Sequence, residues 1–454
     1  MQHKKTSIWR GALRLLLVLV PVGMAHAEPQ SGAAPLAAVP LALSVRQDVA
    51  EHQTRLIFAL GACVTADAHV LENPARAIVD MPEVNFQIDP QVGRKPAERG
   101  RRHAHRAAPA ALAAPAGGLI SSYRFGRLAP GKSRVVVDLA APAEIATSCA
   151  PAPDGGGFEL TLSLTPQNDA AFRTAARAGA EMQTLRTSQL TPATPPPPRP
   201  ANAAGEKPLV VLDPGHGGVD TGALGRDHAV EKFLVLEFAK VLGAKLREGD
   251  HFRVVFTRED DSFVPLRERV KLARRLGAGL FVSLHADALG GDGAGVQGAT
   301  VYTVSDRASD AEAARVAEHE NKADAAAGVE AKEDASDVND ILFDLTRRET
   351  RAYSHVFSHS LAEYWKVAAR LNKNPSRSAG FVVLKAPDVP SVLLELGYLS
   401  NDADAADLSS PEWRQKAASQ VARAIEGFFA AHPSESPPKA PNGAALKATQ
   451  SNGN

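Results

Sequence analysis

The residues best suited to chemistry in this 454-residue chain are two histidines and two glutamates, namely His216, Glu231, His285 and Glu395. Two imidazoles and one carboxylate form the ligand set of hydrolytic zinc sites, in which a fourth position stays open for water. His216, Glu231 and His285 therefore predict one zinc ion, and Glu395 is the candidate for proton transfer. Their spacing matches no short zinc motif, so the prediction depends on the elements that position each residue.

His216 lies in a glycine-rich turn, and His285 ends a predicted strand. The turn follows an apolar run in Val211-Leu-Asp-Pro-Gly-His-Gly-Gly218. Ligands of open α/β sheets bind outside the carboxyl ends of strands, so two neighbouring strands would bring both imidazoles together. Alternatively, the turn is only structural, with Asp213 capping it and His216 exposed. It is not a phosphate-binding loop, because the Lys and Ser/Thr of a P-loop are missing.

The two glutamates each have a functional and a structural interpretation. Glu231 falls in the first turn of the next predicted helix, where an acidic residue could merely complement the helix dipole. Glu395 lies inside an apolar strand, where burying an unpaired carboxylate is unfavourable. Such a carboxylate needs either a partner, for instance Arg377, or a function. Accepting a proton from water and returning it to a leaving amine is that function.

A second pair of histidines competes for the role of metal ligands. His355 and His359 are four residues apart on a predicted helix, which is the ligand spacing of helical zinc sites. The glutamate of an HExxH motif is absent from this stretch. The pattern therefore favours a solvated helix face.

The region that contains these motifs, 208–430, alternates short apolar strands with amphipathic helices. Helical spacing of apolar residues occurs in 230–242, 266–276 and 421–428. This alternation predicts an α/β fold with a mostly parallel sheet covered by helices on both faces. The predicted strands are 209–212, 252–256, 280–284, 299–304, 380–384 and 392–396.

The region 38–165 is instead rich in alternating apolar and polar residues between turn signals, which is typical of strands. The clearest are residues 55–60, 77–80, 134–139 and 158–164. Two of these segments resemble each other, which predicts a small all-β sandwich with two similar halves. A stretch from Pro90 to Gly118 carries six Lys or Arg among Ala and Gly, and we interpret it as a basic loop that could attract anionic polymers or could simply be solvated.

Three further segments have low complexity or targeting features. Residues 1–27 have the basic start, apolar run and small-x-small site of a cleavable secretory signal peptide, with cleavage after Ala27. Residues 166–207 are rich in Ala, Thr and Pro and predict an extended linker. The tail, 433–454, is expected to be disordered.

Charge and cysteine content fit an extracytoplasmic protein. The formal net charge is 0, and removal of the signal peptide, with its four Lys or Arg, lowers it to −4, which does not favour nucleic-acid binding. No later segment is apolar enough to predict a transmembrane span. Cys63 and Cys149, the two cysteines, could pair in an oxidising compartment or stay as buried thiols.

Four motifs in order give the chain a family resemblance. The motifs are DPGHGG, Glu231-Lys232, Ser283-Leu-His-Ala-Asp287 and 390–401 around Glu395. They resemble the zinc-dependent N-acetylmuramoyl-L-alanine amidases of Gram-negative bacteria. The resemblance implies zinc on His216, Glu231 and His285, and Glu395 as the catalytic carboxylate.

The implied reaction is hydrolysis of the amide between N-acetylmuramic acid and the L-alanine of the stem peptide in peptidoglycan. By position before such a hydrolase, the β region resembles an AMIN domain, which targets periplasmic enzymes to the wall and the division site. The implied setting is therefore septal wall splitting in the periplasm. Two alternatives are a zinc peptidase that cuts stem peptides and a non-catalytic wall-binding scaffold.

The stretch 306–344 contains twelve acidic and four basic residues between predicted strands. It resembles the autoinhibitory helical insert of division-associated amidases, which blocks zinc until an activator of the LytM-like class displaces it. Glu320 is the first candidate for the blocking ligand and Glu318 the second. Alternatively, the stretch is a solvated acidic helix.

Overall fold

The computed structural model of the protein describes residues 39–94, 118–187, 207–225, 228–288, 295–329 and 341–432. The predicted signal peptide, the basic loop apart from its first residues, and the tail lie outside the described residues. Among the described residues, no helix combines the length and the apolar character needed to cross a membrane.

The N-terminal region is a two-sheet β-sandwich followed by a helix. One sheet has the order β5-β1-β2-β9-β8 and the other β3-β4-β7-β6. The described elements are β1 (Leu41–Ala50), β2 (Gln53–Leu60), β3 (Asp67–Leu71), β4 (Arg76–Pro82), β5 (Asn85–Phe86), β6 (Ile120–Ala129), β7 (Lys132–Leu139), β8 (Ala143–Pro151), β9 (Phe158–Pro166) and α1 (Asp169–Thr187).

Alternation of side chains explains the sandwich core. Phe58 and Leu160 from one sheet are buried against Phe125 and Val135 from the other, and the rings of Phe58 and Phe125 meet edge to face with centroids 5.8 Å apart. Such interleaved inner faces are the usual core of a β-sandwich. The sequence prediction of an all-β sandwich is confirmed.

The first half of the predicted extended linker is helical instead. Residues Asp169–Thr187 form α1, and Phe172 and Ala176 on its inner face are buried in the sandwich core. Packing of this apolar face outweighs the linker-like composition, because helix stability in proteins comes mainly from such burial. Residues 188–206, including the proline run, lie outside the described part of the chain.

The second region is a six-stranded sheet of order β11-β10-β12-β15-β13-β14. Strands β11, β10, β12 and β15 are parallel to one another, whereas β13 is antiparallel to β15 and parallel to β14. The elements are β10 (Leu209–Pro214), α2 (Glu231–Glu248), β11 (Arg253–Phe256), α3 (Leu266–Leu276), β12 (Leu280–His285), β13 (Ala299–Val304), α4 (Ala311–Glu320), α5 (Ala323–Ala326), α6 (Ile341–Trp365), β14 (Leu371–Ala379), β15 (Ser391–Glu395), α7 (Asp402–Ser409) and α8 (Pro411–Ala431).

Helices cover both faces of this sheet, as the sequence predicts. On one face α2, α6 and α8 bury residues such as Phe238, Phe357 and Ile425 against the strands. On the other face α3 and α4 contribute Ala273 and Val316. The central strands β10, β12 and β15 are buried along their whole length because both of their faces are covered.

One predicted strand is wrong. Residues 380–384 do not extend the sheet, and Val382–Leu384 form a short 3-10 helix after β14. The side chain of Asn321 binds this segment, since its amide donates to the Gly380 carbonyl at 3.0 Å and its oxygen accepts from the Val382 amide at 2.8 Å. A side chain therefore supplies the hydrogen bonds that a neighbouring strand would otherwise supply.

Candidate metal centre

Parallel strands place three of the predicted site residues at one edge of the sheet. His285 and Glu395 are the last residues of β12 and β15, and they are register partners. β10, which pairs with β12 on its other side, ends at Pro214, two residues before His216. Glu231 begins α2, which packs over the same edge. The predicted convergence at the carboxyl ends of the strands is thus what the structure shows.

The three predicted ligands meet in a buried cluster. Nε2 of His216 lies 3.2 Å from Oε1 of Glu231, and Nδ1 of His285 lies 3.3 Å from the same oxygen. The two imidazole rings are roughly perpendicular, with centroids 4.9 Å apart. All three side chains are at most 5% exposed.

Glu320, the first candidate for a blocking residue, is the fourth member of this cluster. It is the last residue of α4, and its Oε2 lies 3.3 Å from His216 Nε2 and 2.9 Å from His285 Nδ1. One ligand atom from each of His216, Glu231, His285 and Glu320 lies within 4.8 Å of the others. Glu318, the second candidate, is exposed and pairs with Lys322 instead.

The donor atoms of the cluster are poorly satisfied without a cation. Among the described residues, His216 Nε2, His285 Nδ1 and both carboxylate oxygens of Glu320 are buried and have no hydrogen-bond partner, although they lie close to one another. Buried polar atoms are normally paired, so atoms left over at one point indicate a missing ligand. Two imidazoles with carboxylate oxygens suit zinc and several other divalent ions.

The electrostatics of the cluster also favour a cation. Burial acts to lower the pKa of His285, but the carboxylates of Glu320 and Glu231 raise this pKa to about 10. The pKa of His216 is likewise raised well above 6.5, against the effect of burial, by Glu231, Asp220 and Glu320. The carboxylates therefore favour positive charge at the point where the ligand atoms meet.

Backbone and side-chain contacts fix the orientation of the ligands. Asp220 Oδ2 lies 2.9 Å from Nδ1 of His216 and accepts a hydrogen bond from it, while Nε2 faces the cluster. The carboxylate of Glu231 accepts 2.7 Å hydrogen bonds from the amides of Ala223 and Ala286. Sequence analysis missed Asp220, although its place four residues after His216 in the same glycine-rich turn is a usable signal.

The turn itself is tightly built. A Cβ at Gly215 would lie 2.5 Å from the His285 ring, so only glycine fits there. The alternative that this turn is only structural requires Asp213 to cap it, but Asp213 does not do so. It forms a buried ion pair with Arg269, 2.9 Å from Oδ1 to Nη1, and Arg269 also donates to the His216 carbonyl at 2.7 Å.

Glu395 lies beside the cluster with no cationic partner among the described residues. Its Oε2 accepts from the Asp287 amide at 3.1 Å, while Oε1 is buried without a hydrogen bond. Burial raises the pKa of Glu395 well above its ordinary value. Arg377, the alternative salt-bridge partner, pairs with Asp310 and Glu312. Arg377 is therefore not the salt-bridge partner of Glu395.

Comparison with known proteins agrees with this site. The family model of N-acetylmuramoyl-L-alanine amidases matches residues 210–427. AmiA of Escherichia coli strain K12 is 40% identical over 231 residues, which are 50% of this chain and 78% of AmiA. AmiC of Escherichia coli O6:H1 is 31% identical over 401 residues, which are 87% of this chain and 91% of AmiC.

The chain belongs to the N-acetylmuramoyl-L-alanine amidase family. It is therefore a hydrolase that acts on peptidoglycan. Membership of this family favours cleavage of the muramoyl–alanine amide over the two alternative functions, a stem-peptide peptidase and a non-catalytic scaffold. Among solved structures, the catalytic domain of the amidase CwlV from Bacillus (Paenibacillus) polymyxa var. colistinus has a TM-score of 0.37 and 26% identity, over 49% of this chain and 98% of that one.

The second pair of histidines does not belong to the candidate metal-binding cluster. His355 and His359 are exposed on α6, and Nδ1 of His355 contacts the Thr303 hydroxyl at 3.5 Å. Neither joins a potential metal-binding group among the described residues. The interpretation as a solvated helix face is confirmed.

Proposed function

We propose that this amidase depends on zinc held by His216, Glu231 and His285, and that it is autoinhibited by Glu320. The observation that carries the proposal is the buried four-residue cluster, whose donor atoms lie within 4.8 Å of one another. Zinc prefers a tetrahedral set of nitrogen and oxygen ligands, and hydrolytic sites use three protein ligands and one open position. Glu320, whose Oε2 lies 3.3 Å from His216 Nε2 and 2.9 Å from His285 Nδ1, would occupy that fourth position.

The chemistry supplied by zinc when bound is polarisation of the scissile carbonyl and activation of water at neutral pH. The remaining steps fall to Glu395. Its carboxylate accepts a proton from water as the oxygen attacks the lactyl carbonyl carbon, and it then donates that proton to the nitrogen of L-alanine as the C–N bond breaks. A buried carboxylate with a raised pKa is suited to both transfers.

Inhibition follows from the position of Glu320 between the two imidazoles. A carboxylate in the fourth position excludes water and the substrate carbonyl from the same place. His319 supports this arrangement, because its Nδ1 lies 3.3 Å from Asp287 and 3.4 Å from Glu320. We call residues 311–329, which carry Glu320, the inhibitory segment.

The cellular setting is part of the same proposal. The predicted signal peptide would direct the chain to the periplasm, and the β-sandwich would act as an AMIN-like targeting module on peptidoglycan. We infer a role in septal wall splitting and daughter-cell separation. An activator of the LytM-like class would displace the inhibitory segment there.

Metal analysis combined with product identification tests the enzymatic core of the proposal. We expect the purified protein to contain one zinc ion per chain and His216→Ala to contain none. Digestion of peptidoglycan should yield intact stem peptides that begin with L-alanine, together with unsubstituted glycan, and chelation should stop their release. Turnover that persists after complete removal of metal would show that the proposal is wrong.

A further inference from the structure

The β-sandwich contacts the end of the inhibitory segment through consecutive backbone carbonyls. Arg76 donates to the Ala325 carbonyl, and Arg124 donates to the Ala326 carbonyl. Nη1 of Arg134 donates to the carbonyls of Ala327 and Gly328 at 3.0 and 2.9 Å. We call these three arginines the arginine clamp. Gln183 of α1 adds a further hydrogen bond to the Gly328 carbonyl.

The clamp is held in place by acidic residues of its own sheet. Arg134 forms a two-point ion pair with Asp80, at 2.6 and 2.9 Å. Arg124 does the same with Asp138, at 2.8 and 3.3 Å. Two-point pairs fix the plane of a guanidinium, so its remaining N–H groups point at the segment before it docks. Arg134 is itself only 2% exposed.

Apolar contacts accompany the polar ones. Ala327 and Val329 are buried in a cluster with Ile78 and Val136, which lie on the same outer face of β4 and β7 as the clamp. The segment approaches the sheet closely at Gly328, where a Cβ would lie 2.5 Å from Cδ1 of Ile78. The backbone φ of 67° at this residue also favours glycine.

The same sheet face touches the turn that carries His216. A Cβ at Gly126 would lie 2.5 Å from the Gly218 backbone, and the Val219 amide donates to the Arg127 carbonyl at 3.2 Å. The face of β4, β7 and β6 therefore rests on one side against the metal-binding turn and on the other against the end of the inhibitory segment. A single rigid surface fixes the position of both relative to each other.

We propose that the arginine clamp of the β-sandwich holds residues 325–329 and thereby keeps Glu320 at the metal centre. The ligand of this surface is the carbonyl-rich end of the chain's own inhibitory segment. The inference rests on the proposed inhibitory role of Glu320, and it adds that the N-terminal domain maintains the resting state. Separation of the sheet from residues 325–329 would release the segment without any change at the metal ligands.

Two variants of the full-length chain test the clamp, one in the β-sandwich and one in the inhibitory segment. Arg124→Gln removes a guanidinium, and Asp138 keeps a partner in the Ser122 hydroxyl, at 2.5 Å. Gly328→Val forces a β-branched residue into the close contact with Ile78. The matched controls are Arg46→Gln, whose arginine pairs with Glu159 on the other sheet, and Gly155→Val, whose glycine has a φ of 73° with open space around it.

We expect Arg124→Gln and Gly328→Val to raise the basal rate of peptidoglycan hydrolysis, without activator, by about tenfold, which corresponds to about 1.4 kcal/mol. The controls should keep the wild-type rate. Amide exchange of residues 325–329 should become faster in the two test variants only. Either test variant is sufficient, provided that it shows the wild-type circular dichroism and zinc content.

A third variant separates the clamp from the proposed function. Glu320→Ala should raise the basal rate by itself, and adding Arg124→Gln to it should give no further increase. If Glu320→Ala is activated but Arg124→Gln and Gly328→Val are not, the clamp is wrong and the inhibition stands. If Glu320→Ala stays at the wild-type rate, the inhibition itself is wrong. An equal increase from Arg124→Gln in both backgrounds would also overturn the clamp, because it would then act independently of Glu320.

Discussion

Asp220 accepts a hydrogen bond from Nδ1 of His216 across 2.9 Å, and both side chains are buried. This contact selects the tautomer whose Nε2 lone pair faces Glu231, His285 and Glu320. Carboxylates that orient a ligating imidazole in this way also make it a stronger donor. The candidate metal centre therefore depends on a residue that is not itself a member of the four-residue cluster.

Replacing Asp220 should weaken metal binding while leaving the ligands in place. We expect Asp220→Ala to lower zinc affinity by about 10- to 100-fold, and Asp220→Asn to have a smaller effect because its amide oxygen can still accept the bond. Competition with a chromophoric chelator measures both. Asp154→Ala, in an exposed turn of the β-sandwich, is the control. Unchanged affinity in Asp220→Ala would refute the orienting role.

Glu395→Gln should separate metal binding from turnover. The amide keeps the size of the side chain but cannot accept a proton, so we expect a loss of about 100-fold or more in the rate with zinc content unchanged. Metal analysis and release of stem peptides from purified peptidoglycan provide the two measurements. A variant that retains more than a tenth of the activity would exclude Glu395 as the proton carrier.

Glu320→Ala should raise basal activity, because the fourth position at the metal centre becomes accessible to water and substrate. An increase of about tenfold or more is expected, since each factor of ten corresponds to about 1.4 kcal/mol of lost contact. Glu318→Ala is the control, because Glu318 is exposed two residues away on the same helix. If both variants showed the same increase in rate, the loss of a negative charge on α4 would explain it, and occupation of the metal centre by Glu320 would not.

The disulfide between Cys63 and Cys149 should stabilise the β-sandwich and leave the metal centre unaffected. It joins residues 86 positions apart, and a native disulfide typically contributes about 2–5 kcal/mol. We expect the double variant Cys63→Ser, Cys149→Ser to unfold at a lower temperature in calorimetry, with wild-type zinc content. Loss of zinc in this variant would contradict the expectation that the metal centre does not depend on the bond.

The sequence predicts the residues of the candidate metal centre better than it predicts the secondary structure around them. His285 and Glu395 end short apolar strands and His216 follows one, and parallel pairing brings the ends of such strands to one edge. Glu320 could be predicted only through the family resemblance, because nothing in the local pattern of α4 shows that the helix ends at the metal position.

The two incorrect secondary-structure predictions have physical causes that lie outside the local sequence. Residues 169–187 have the composition of a linker but form a helix, because the sandwich core offers Phe172 a buried position. Residues 380–384 have the pattern of a strand, but Asn321, some sixty residues earlier, occupies their hydrogen-bonding groups. Both outcomes depend on distant partners, which periodicity does not detect.

The antiparallel direction of β13 determines how Glu320 reaches its position. Because β13 begins opposite Glu395, with which Thr300 pairs, and runs antiparallel to β15, the chain leaves β13 at the end of the sheet opposite the candidate metal centre. Helix α4, anchored there through Asp310 and Arg377, must span the height of the sheet, a distance of about 15 Å for its length. A single inserted residue in α4 would rotate the carboxylate by about 100° around the helix axis. The length of this helix therefore determines whether the Glu320 carboxylate reaches the candidate metal centre.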